Sequence, residues 1–388
     1  MCVESTDDLK TQRLQYCRRR LQPLPRRSSA PAPPSDNGFV TKLLVTGGAG
    51  FIGSAFIRML LGRDAAVEIH NLDALTYAGN LENLAPIADD PRYRFYLADL
   101  RDQQAVDAVV QETKPDAIVH FAAESHVDRS ILSPKPVVST NLEGSFHLLE
   151  AARRVGVERY IHISTDEVYG SIAEPAEADE ESPLRPSSPY SASKSGSDLL
   201  ALSYFSTYRL PVIVTRASNN YGPYQFPEKL IPLMICKALD DRPLPVYGDG
   251  LQVRDWLYVE DHCRAVEALL ERGRPGQIYN VGGSCALPNL QVVKRILALL
   301  GKPETLLERV KDRPGHDRRY ALSSSKIEAE TGWRPLVDFD EGLARTIDWY
   351  RQNSGWIERV QSGEHRHFEQ RNYLRRDLEI NALVKPGE

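Results

Sequence analysis

One short stretch limits the fold of this chain more than any other. The apolar run Lys42-Leu43-Leu44-Val45-Thr46 leads straight into Gly47-Gly48-Ala49-Gly50-Phe51-Ile52-Gly53, and helical spacing follows from Ser54 to about Gly62. A second apolar run, Ala66 to Leu72, ends at Asp73. Strand, glycine turn, helix, strand and acidic residue, in that order, form a βαβ half-unit able to hold a dinucleotide. Gly47 permits the tight turn, Gly50 lets the backbone approach a pyrophosphate, and Gly53 lets the helix pack closely on the strand. The free N–H groups of the helix N-terminus then face the phosphates. Asp73 can accept hydrogen bonds from both ribose hydroxyls and repels a 2′-phosphate, so NAD is expected rather than NADP.

The alternation continues. Tyr93 to Ala98 reads as a third strand ending at Asp99-Leu100, and Ala105 to Thr113 has helical spacing. Ala117 to Phe121 reads as a fourth strand, followed by Ala122-Ala123-Glu124-Ser125, and Asn141 to Val155 as a helix. A fifth strand, Tyr160 to Ile163, stops at Ser164-Thr165-Asp166-Glu167-Val168-Tyr169-Gly170. A βαβ series of this kind folds as a parallel sheet with helices on both faces. The expected fold is therefore α/β, a Rossmann-type doubly wound parallel sheet. Ligands bind such sheets beyond the carboxyl ends of the strands. Ala122 and Ala123 are small enough to let a cofactor lie close, or else serve helix–strand packing.

The fifth strand end carries a hydroxyl and two adjacent carboxylates. Two like charges side by side push one group toward its protonated form, which would supply an acid and a base in consecutive positions. The alternative is a solvated turn or a helix cap. Tyr190-Ser191-Ala192-Ser193-Lys194 follows, within a helical segment that runs to Ser206. Residues four apart share a helix face, so Tyr190 and Lys194 point the same way, and an ammonium there favours the phenolate.

After a strand at Pro211 to Thr215 the pattern becomes irregular and richer in proline. A strand at Gln277 to Val281 and helices at Leu290 to Leu300 and Glu341 to Gln352 stand between loops. This half reads as a smaller, mixed α/β substrate-binding lobe. The expected organisation is a cofactor domain over residues 40–220, with later strands contributed from the C-terminal half, and a substrate lobe over 221–355. Lys229, Arg254, Arg313 and Arg318 could meet an anionic ligand or be ordinary ion-paired surface groups.

Residues 1–39 differ in composition. Arg18-Arg19-Arg20 and Arg26-Arg27 precede a Ser/Pro-rich run, which reads as a basic, disordered tail. Residues 356–388 form a polar C-terminal tail. The net charge of -5 gives no sign of nucleic-acid binding, and no apolar run is long enough to span a membrane. Five scattered cysteines without paired spacing argue against a disulfide framework or a zinc site and fit a reducing cytoplasm. No metal is expected.

The run from Thr46 to Gly53, taken with Tyr190 and Lys194, resembles the extended short-chain dehydrogenase/reductases that act on nucleotide sugars. Leu72 to Asn80, Ala122 to Ser130, Ser164 to Gly170, Asn219 to Pro232, Arg254 to Asp261 and Asp312 to Asp317 extend the likeness from about Lys42 to Tyr350 and point to the 4,6-dehydratase branch. Its most specific element is Thr165-Asp166-Glu167. Related epimerases usually carry small or hydroxyl residues at the two carboxylate positions. GDP-mannose dehydratases and UDP-glucuronate decarboxylases keep the glutamate but have serine before it.

The resemblance implies bound NAD and dehydration of dTDP-glucose, with UDP-glucose, or an epimerase or decarboxylase reaction of the same family, as the alternative. It implies a homodimer paired through the helices near Asn141 to Val155 and Ser191 to Ser206. Tyr190, its acidity raised by Lys194 and the cationic nicotinamide, would act with Thr165 at the sugar 4-hydroxyl, Glu167 as base at carbon 5, and Asp166 as acid at the 6-hydroxyl. The cofactor would be held by Gly47, Gly50, Phe51, Ile52, Gly53, Asp73, Ala74, Leu75, Thr76, Asp99, Leu100, Phe121, Ala122, Ala123, Thr140, Tyr190, Lys194 and Asn220. Ser125, Thr165, Asn219, Lys229, Leu230, Pro245, Tyr247, Arg254, Asn289, Arg313 and His316 would surround the nucleotide sugar. A non-catalytic dinucleotide sensor is the reading from a different class. Such proteins commonly lose the Tyr/Lys or acidic pair, and all four residues are present here.

Overall fold

A computed structural model describes residues 42–63 and 66–361. The basic tail expected over 1–39 lies outside the described residues, as does the C-terminal segment beyond 361. Six strands succeed one another in the first half: β1 (Lys42–Thr46), β2 (Glu68–Asp73), β3 (Tyr93–Leu97), β4 (Ala117–His120), β5 (Arg159–Thr165) and β6 (Val212–Ala217). Then come β7 (Asn219–Tyr221), β8 (Leu244–Tyr247), β9 (Val253–Tyr258), β10 (Ile278–Val281), β11 (Ala286–Pro288) and β12 (Leu307–Val310). The main sheet has seven parallel strands in the order β10-β6-β5-β4-β1-β2-β3. Its seventh strand is supplied from beyond residue 220. The expected doubly wound parallel sheet is therefore present.

The central strands are buried on both faces, which is why they read as unbroken apolar runs rather than alternating ones. One face is covered by helices Phe51–Gly62 and Val259–Arg272, the other by Gln103–Thr113, Ser145–Val155 and Pro189–Tyr208. Chain order reverses between β1 and β4, and the crevice beyond their carboxyl ends is the switch point where such sheets take ligands.

A second core gathers helices Leu230–Leu239, Asn289–Leu300 and Phe339–Gln352 around Tyr221, Trp256 and Tyr258. Two small sheets, β11-β9-β7 and β12-β8, brace it. The helix expected from Asn141 begins as a π-helical turn, Ser139–Gly144, before becoming regular at Ser145. The segment beginning at 356 is not all tail: Ser354–Val360 is a helix, and Trp356 is buried.

Candidate active site

The glycine turn forms the floor of a cleft of about 1800 Å³. Gly47 adopts φ +72, and a Cβ there would lie 2.6 Å from the backbone of Ala122. At Gly53 a Cβ would come within 2.4 Å of the Gly47 carbonyl oxygen, so the atom Gly53 makes room for is the turn itself. A Cβ on Gly50 would meet only the Gly47 carbonyl, at 3.2 Å, and Gly50 lines the cleft. Asp73 is held by two backbone donors: Ala49 N–H to Oδ2 at 2.9 Å and Leu75 N–H to Oδ1 at 2.8 Å. Each oxygen keeps a lone pair for a ribose hydroxyl. This groove and fixed carboxylate fit an NAD adenosine half.

Every residue expected at the cofactor lines this cleft except Leu75. Its backbone turns through φ +50 and its side chain packs on the core, so its part is to steady Asp73 through its N–H.

Thr165 ends β5 and caps a one-turn 3-10 helix, Asp166–Tyr169. Its hydroxyl accepts from Glu167 N–H at 3.3 Å and donates to Asp166 Oδ1 at 3.2 Å. Asp166 is 2% exposed, and its Oδ2 has no hydrogen-bond partner among the described residues. Burial, then the neighbouring Glu167 and Asp255, hold the Asp166 carboxyl well above the usual carboxylate range. Burial raises Glu167 too, but Arg313, Lys229 and Arg254 oppose the rise. The two carboxyls thus sit in different fields. Of the two, Asp166 is pushed the further toward its protonated form.

Helix Pro189–Tyr208 starts from a Ser188–Ser191 capping box and aims Tyr190 and Lys194 at the same strand end. The Tyr190 hydroxyl hydrogen-bonds Thr165. Lys194 Nζ donates to the Ile163 carbonyl at 2.6 Å, and burial pushes its pKa down to about 8. The acidity expected of Tyr190 from Lys194 and the cationic nicotinamide is not reached by the residues of the chain alone. Burial and then Glu167 push the Tyr190 hydroxyl well above its ordinary value, because a phenolate there would be desolvated and face a carboxylate.

A second cavity of about 900 Å³ opens beside the first. Nine of the eleven residues expected at the nucleotide sugar line it, from Asn219 and Lys229 through Arg313 and His316. Ser125 and Thr165 line the larger cleft instead. Glu167, Asn219 and Lys229 border both, so the two spaces meet at the acidic pair. Arg254 is 5% exposed, lies 4.0 Å over the Tyr320 ring and donates to the Asp317 carbonyl at 3.0 Å. Arg313 donates to Asp128 at 3.1 Å, and its buried Nε has no hydrogen-bond partner among the described residues. Two guanidinium groups at one cavity suit a diphosphate. Arg318 does not join them; it is exposed and paired with Asp249 at 2.8 Å. His316 bonds Asp312 at 2.6 Å, and burial lowers its pKa.

Several supporting residues escaped sequence reasoning. Asp128 accepts from Tyr247 at 2.6 Å as well as from Arg313, fixing two expected substrate contacts. Glu228, between the clefts, is paired with Arg129 at 3.0 Å. Asp198 is fully buried, pairs with Arg216 at 3.0 Å, and is the charge that opposes loss of the Lys194 proton. It lies four residues after Lys194 on one helix, a spacing that could have drawn attention to it.

An open parallel sheet with a dinucleotide cleft at its switch point and a Tyr-x-x-x-Lys helix beside it defines an extended short-chain dehydrogenase/reductase. A family profile described as GDP-mannose 4,6 dehydratase matches residues 44–346, and the chain belongs to that family. It is 50% identical over 341 residues to the dTDP-glucose 4,6-dehydratase of Xanthomonas campestris pv. campestris (strain B100), covering 83% of this chain and 97% of that one. Against the dTDP-glucose 4,6-dehydratase of Streptomyces niveus the identity is 52%, over 83% and 96% of the two chains. Among solved structures, the dTDP-glucose 4,6-dehydratase DesIV of Streptomyces venezuelae, with NAD and TYD bound, has a TM-score of 0.80 at 52% identity, covering 82% of this chain and 100% of that one. A UDP-glucose 4-epimerase of Thermus thermophilus complexed with NAD reaches 0.75 at 35% identity, over 81% and 100%. The fold is thus shared by dehydratases and epimerases, and the site chemistry has to separate them.

Proposed function

We propose that this chain binds NAD and converts dTDP-glucose to dTDP-4-keto-6-deoxyglucose. The observation that carries the reading is the acidic pair at the meeting of the two clefts, Glu167 lining both and the buried Asp166 having its Oδ2 without a hydrogen-bond partner among the described residues. A 4-epimerase has no use for a second acid and base. The aspartate at 166, where GDP-mannose enzymes have serine, favours the dTDP-glucose branch within the family.

NAD, when bound, supplies the oxidant for carbon 4, returns the same two electrons to carbon 6, and adds positive charge to the cleft. Asp73 and the glycine turn hold it. Arg254 and Arg313 bind the diphosphate of the nucleotide sugar. Thr165 hydrogen-bonds the sugar 4-hydroxyl while Tyr190 takes its proton. A ketone at carbon 4 acidifies the carbon 5 proton, which Glu167 removes and gives back to carbon 5 once carbon 6 has been reduced. Asp166 gives its proton to the 6-hydroxyl, which leaves as water. The substrate loses one water and undergoes no net oxidation.

Incubation with dTDP-glucose should give the alkali-dependent absorbance of a 4-keto sugar. Formation of the 4-epimer without keto product would refute the proposal. Asp166→Asn should slow water loss by about 100-fold, the magnitude of a removed general acid, while exchange of the carbon 5 proton with solvent persists. Loss of that exchange along with product would show that Asp166 is not the acid.

A homodimer through helices Ser145–Val155 and Pro189–Tyr208 is also proposed. Phe146, Leu199 and Tyr208 on those helices are 39%, 59% and 53% exposed, an apolar face that wants a partner. Leu199→Glu should shift sedimentation from two chains to one; an unchanged distribution would exclude this face. Among the described residues no helix is long and apolar enough to cross a membrane. A cytoplasmic location is proposed on the cysteine usage, five scattered residues without paired spacing.

A further inference from the structure

The glycine turn is gripped from behind by residues that touch neither cleft. The Ala49 N–H orients Asp73, and the Ala49 carbonyl on the other side of the same residue accepts from Asn83 Nδ2 at 3.0 Å. Asn83 is 2% exposed, and its Oδ1 accepts from Trp356 Nε1 at 3.1 Å. One amide therefore ties the turn to the last described helix, Ser354–Val360, across 273 residues.

Trp356 is itself wedged among rings. Trp349 lies 5.1 Å away and Tyr224 6.1 Å away, and Arg58, on the helix that starts at the glycine turn, sits 4.2 Å over Tyr224. Arg58 also donates to the Asn83 carbonyl. From the same cluster the Tyr350 hydroxyl reaches the Gln225 carbonyl, and Gln225 Nε2 donates to the Asn220 carbonyl at 2.8 Å. Gln225 and Asn220 also line the larger cleft. The aromatic knot is thus linked both to the glycine turn and to Asn220 in the cleft lining.

We propose that Asn83 and Trp356 are positioning residues for the dinucleotide, so that the C-terminal helix sets how tightly the cofactor is retained. The proposal rests on the reading that the cleft takes NAD. Without the indole N–H, Asn83 Oδ1 is left buried without its donor, and the amide is free to turn away from Ala49. The Ala49 carbonyl then keeps only the Asn80 N–H, at 3.0 Å, and the alignment of Asp73 and the helix N-terminus loosens.

The test is the dissociation constant of NAD, measured by calorimetry on the full chain stripped of nucleotide. The proteins are wild type, Trp356→Phe, Asn83→Ala and the double variant, with dTDP titrated in parallel. Trp356→Phe keeps the ring and removes the donor. It should weaken NAD about tenfold, the worth of a buried hydrogen bond whose partner is stranded. Asn83→Ala should cost at least as much, and the double variant no more than Asn83→Ala alone, because both act through one bond. The dTDP affinity should stay within about twofold, since Trp356→Phe keeps the packing of the core that the two share and the hydrogen bonds from Trp356 through Asn83 to Ala49 do not pass through its pocket. NAD affinity unchanged in Trp356→Phe, or equal weakening of both ligands, would overturn the proposal. A wild type that binds no NAD would overturn the cofactor reading with it.

Discussion

Glu167→Gln should lower turnover of dTDP-glucose by about 10²–10⁴-fold, the range for a removed general base, without weakening substrate binding. Glutamine keeps the length and hydrogen-bonding reach of glutamate and loses only the basicity. Substrate binding should if anything tighten. Glu167 is the negative charge among Arg313, Lys229 and Arg254, and neutralising it leaves more positive field for the diphosphate. The expected signature is a fall in kcat with KM equal or lower, and no solvent deuterium at carbon 5. A variant that turns over at the wild-type rate, or that still exchanges carbon 5, would remove Glu167 from the role of base.

Tyr190→Phe should cost a comparable factor, about 10²–10⁴-fold, through loss of the group that accepts the 4-hydroxyl proton. Here the defect precedes elimination, so neither keto product nor carbon 5 exchange should appear. Since burial and Glu167 hold the Tyr190 proton firmly, its removal depends on positive charge brought to it. Lys194 is that charge within the chain. Its pKa is lowered from 10.5 to about 8, so the ammonium is present below that pH and lost as pH rises through it. The kcat/KM profile should therefore fall on the alkaline side near pH 8, and Lys194→Met should abolish that limb with most of the activity. A profile flat well above that pH would show that the ammonium is not required.

What could be seen in the sequence were features whose physics is local. Gly47, Gly50, Gly53 and Asp73 announce a dinucleotide turn because the positive φ of Gly47 and the closeness of Gly50 and Gly53 to the Gly47 carbonyl are demands of the turn itself, although Gly47 also clears the distant Ala122 backbone. The unbroken apolar runs announce a parallel sheet for the same reason. Thr165, Asp166 and Glu167 are consecutive, and Tyr190 and Lys194 are one helical turn apart. What could not be seen depends on how distant segments pack. Asp128 meets Arg313 across 185 residues, and Asn83 meets Trp356 across 273. No periodicity encodes either pair. The acidity of Tyr190 within the chain alone could not be seen because desolvation is set by the surrounding fold, not by its neighbour on the helix. The resemblance implies Leu75 at the cofactor, whereas its backbone has a positive φ and its side chain packs on the core.

Deuterium placed on carbon 4 of dTDP-glucose tests the central claim most directly. If the acidic pair and the Tyr/Lys pair act in one sequence on one sugar, the label leaves carbon 4 and reappears on carbon 6 of a 4-keto-6-deoxy product. Mass spectrometry and NMR of that product should show it. A 4-epimer with the label still on carbon 4, and no keto sugar, would contradict the proposed role of Asp166 and Glu167.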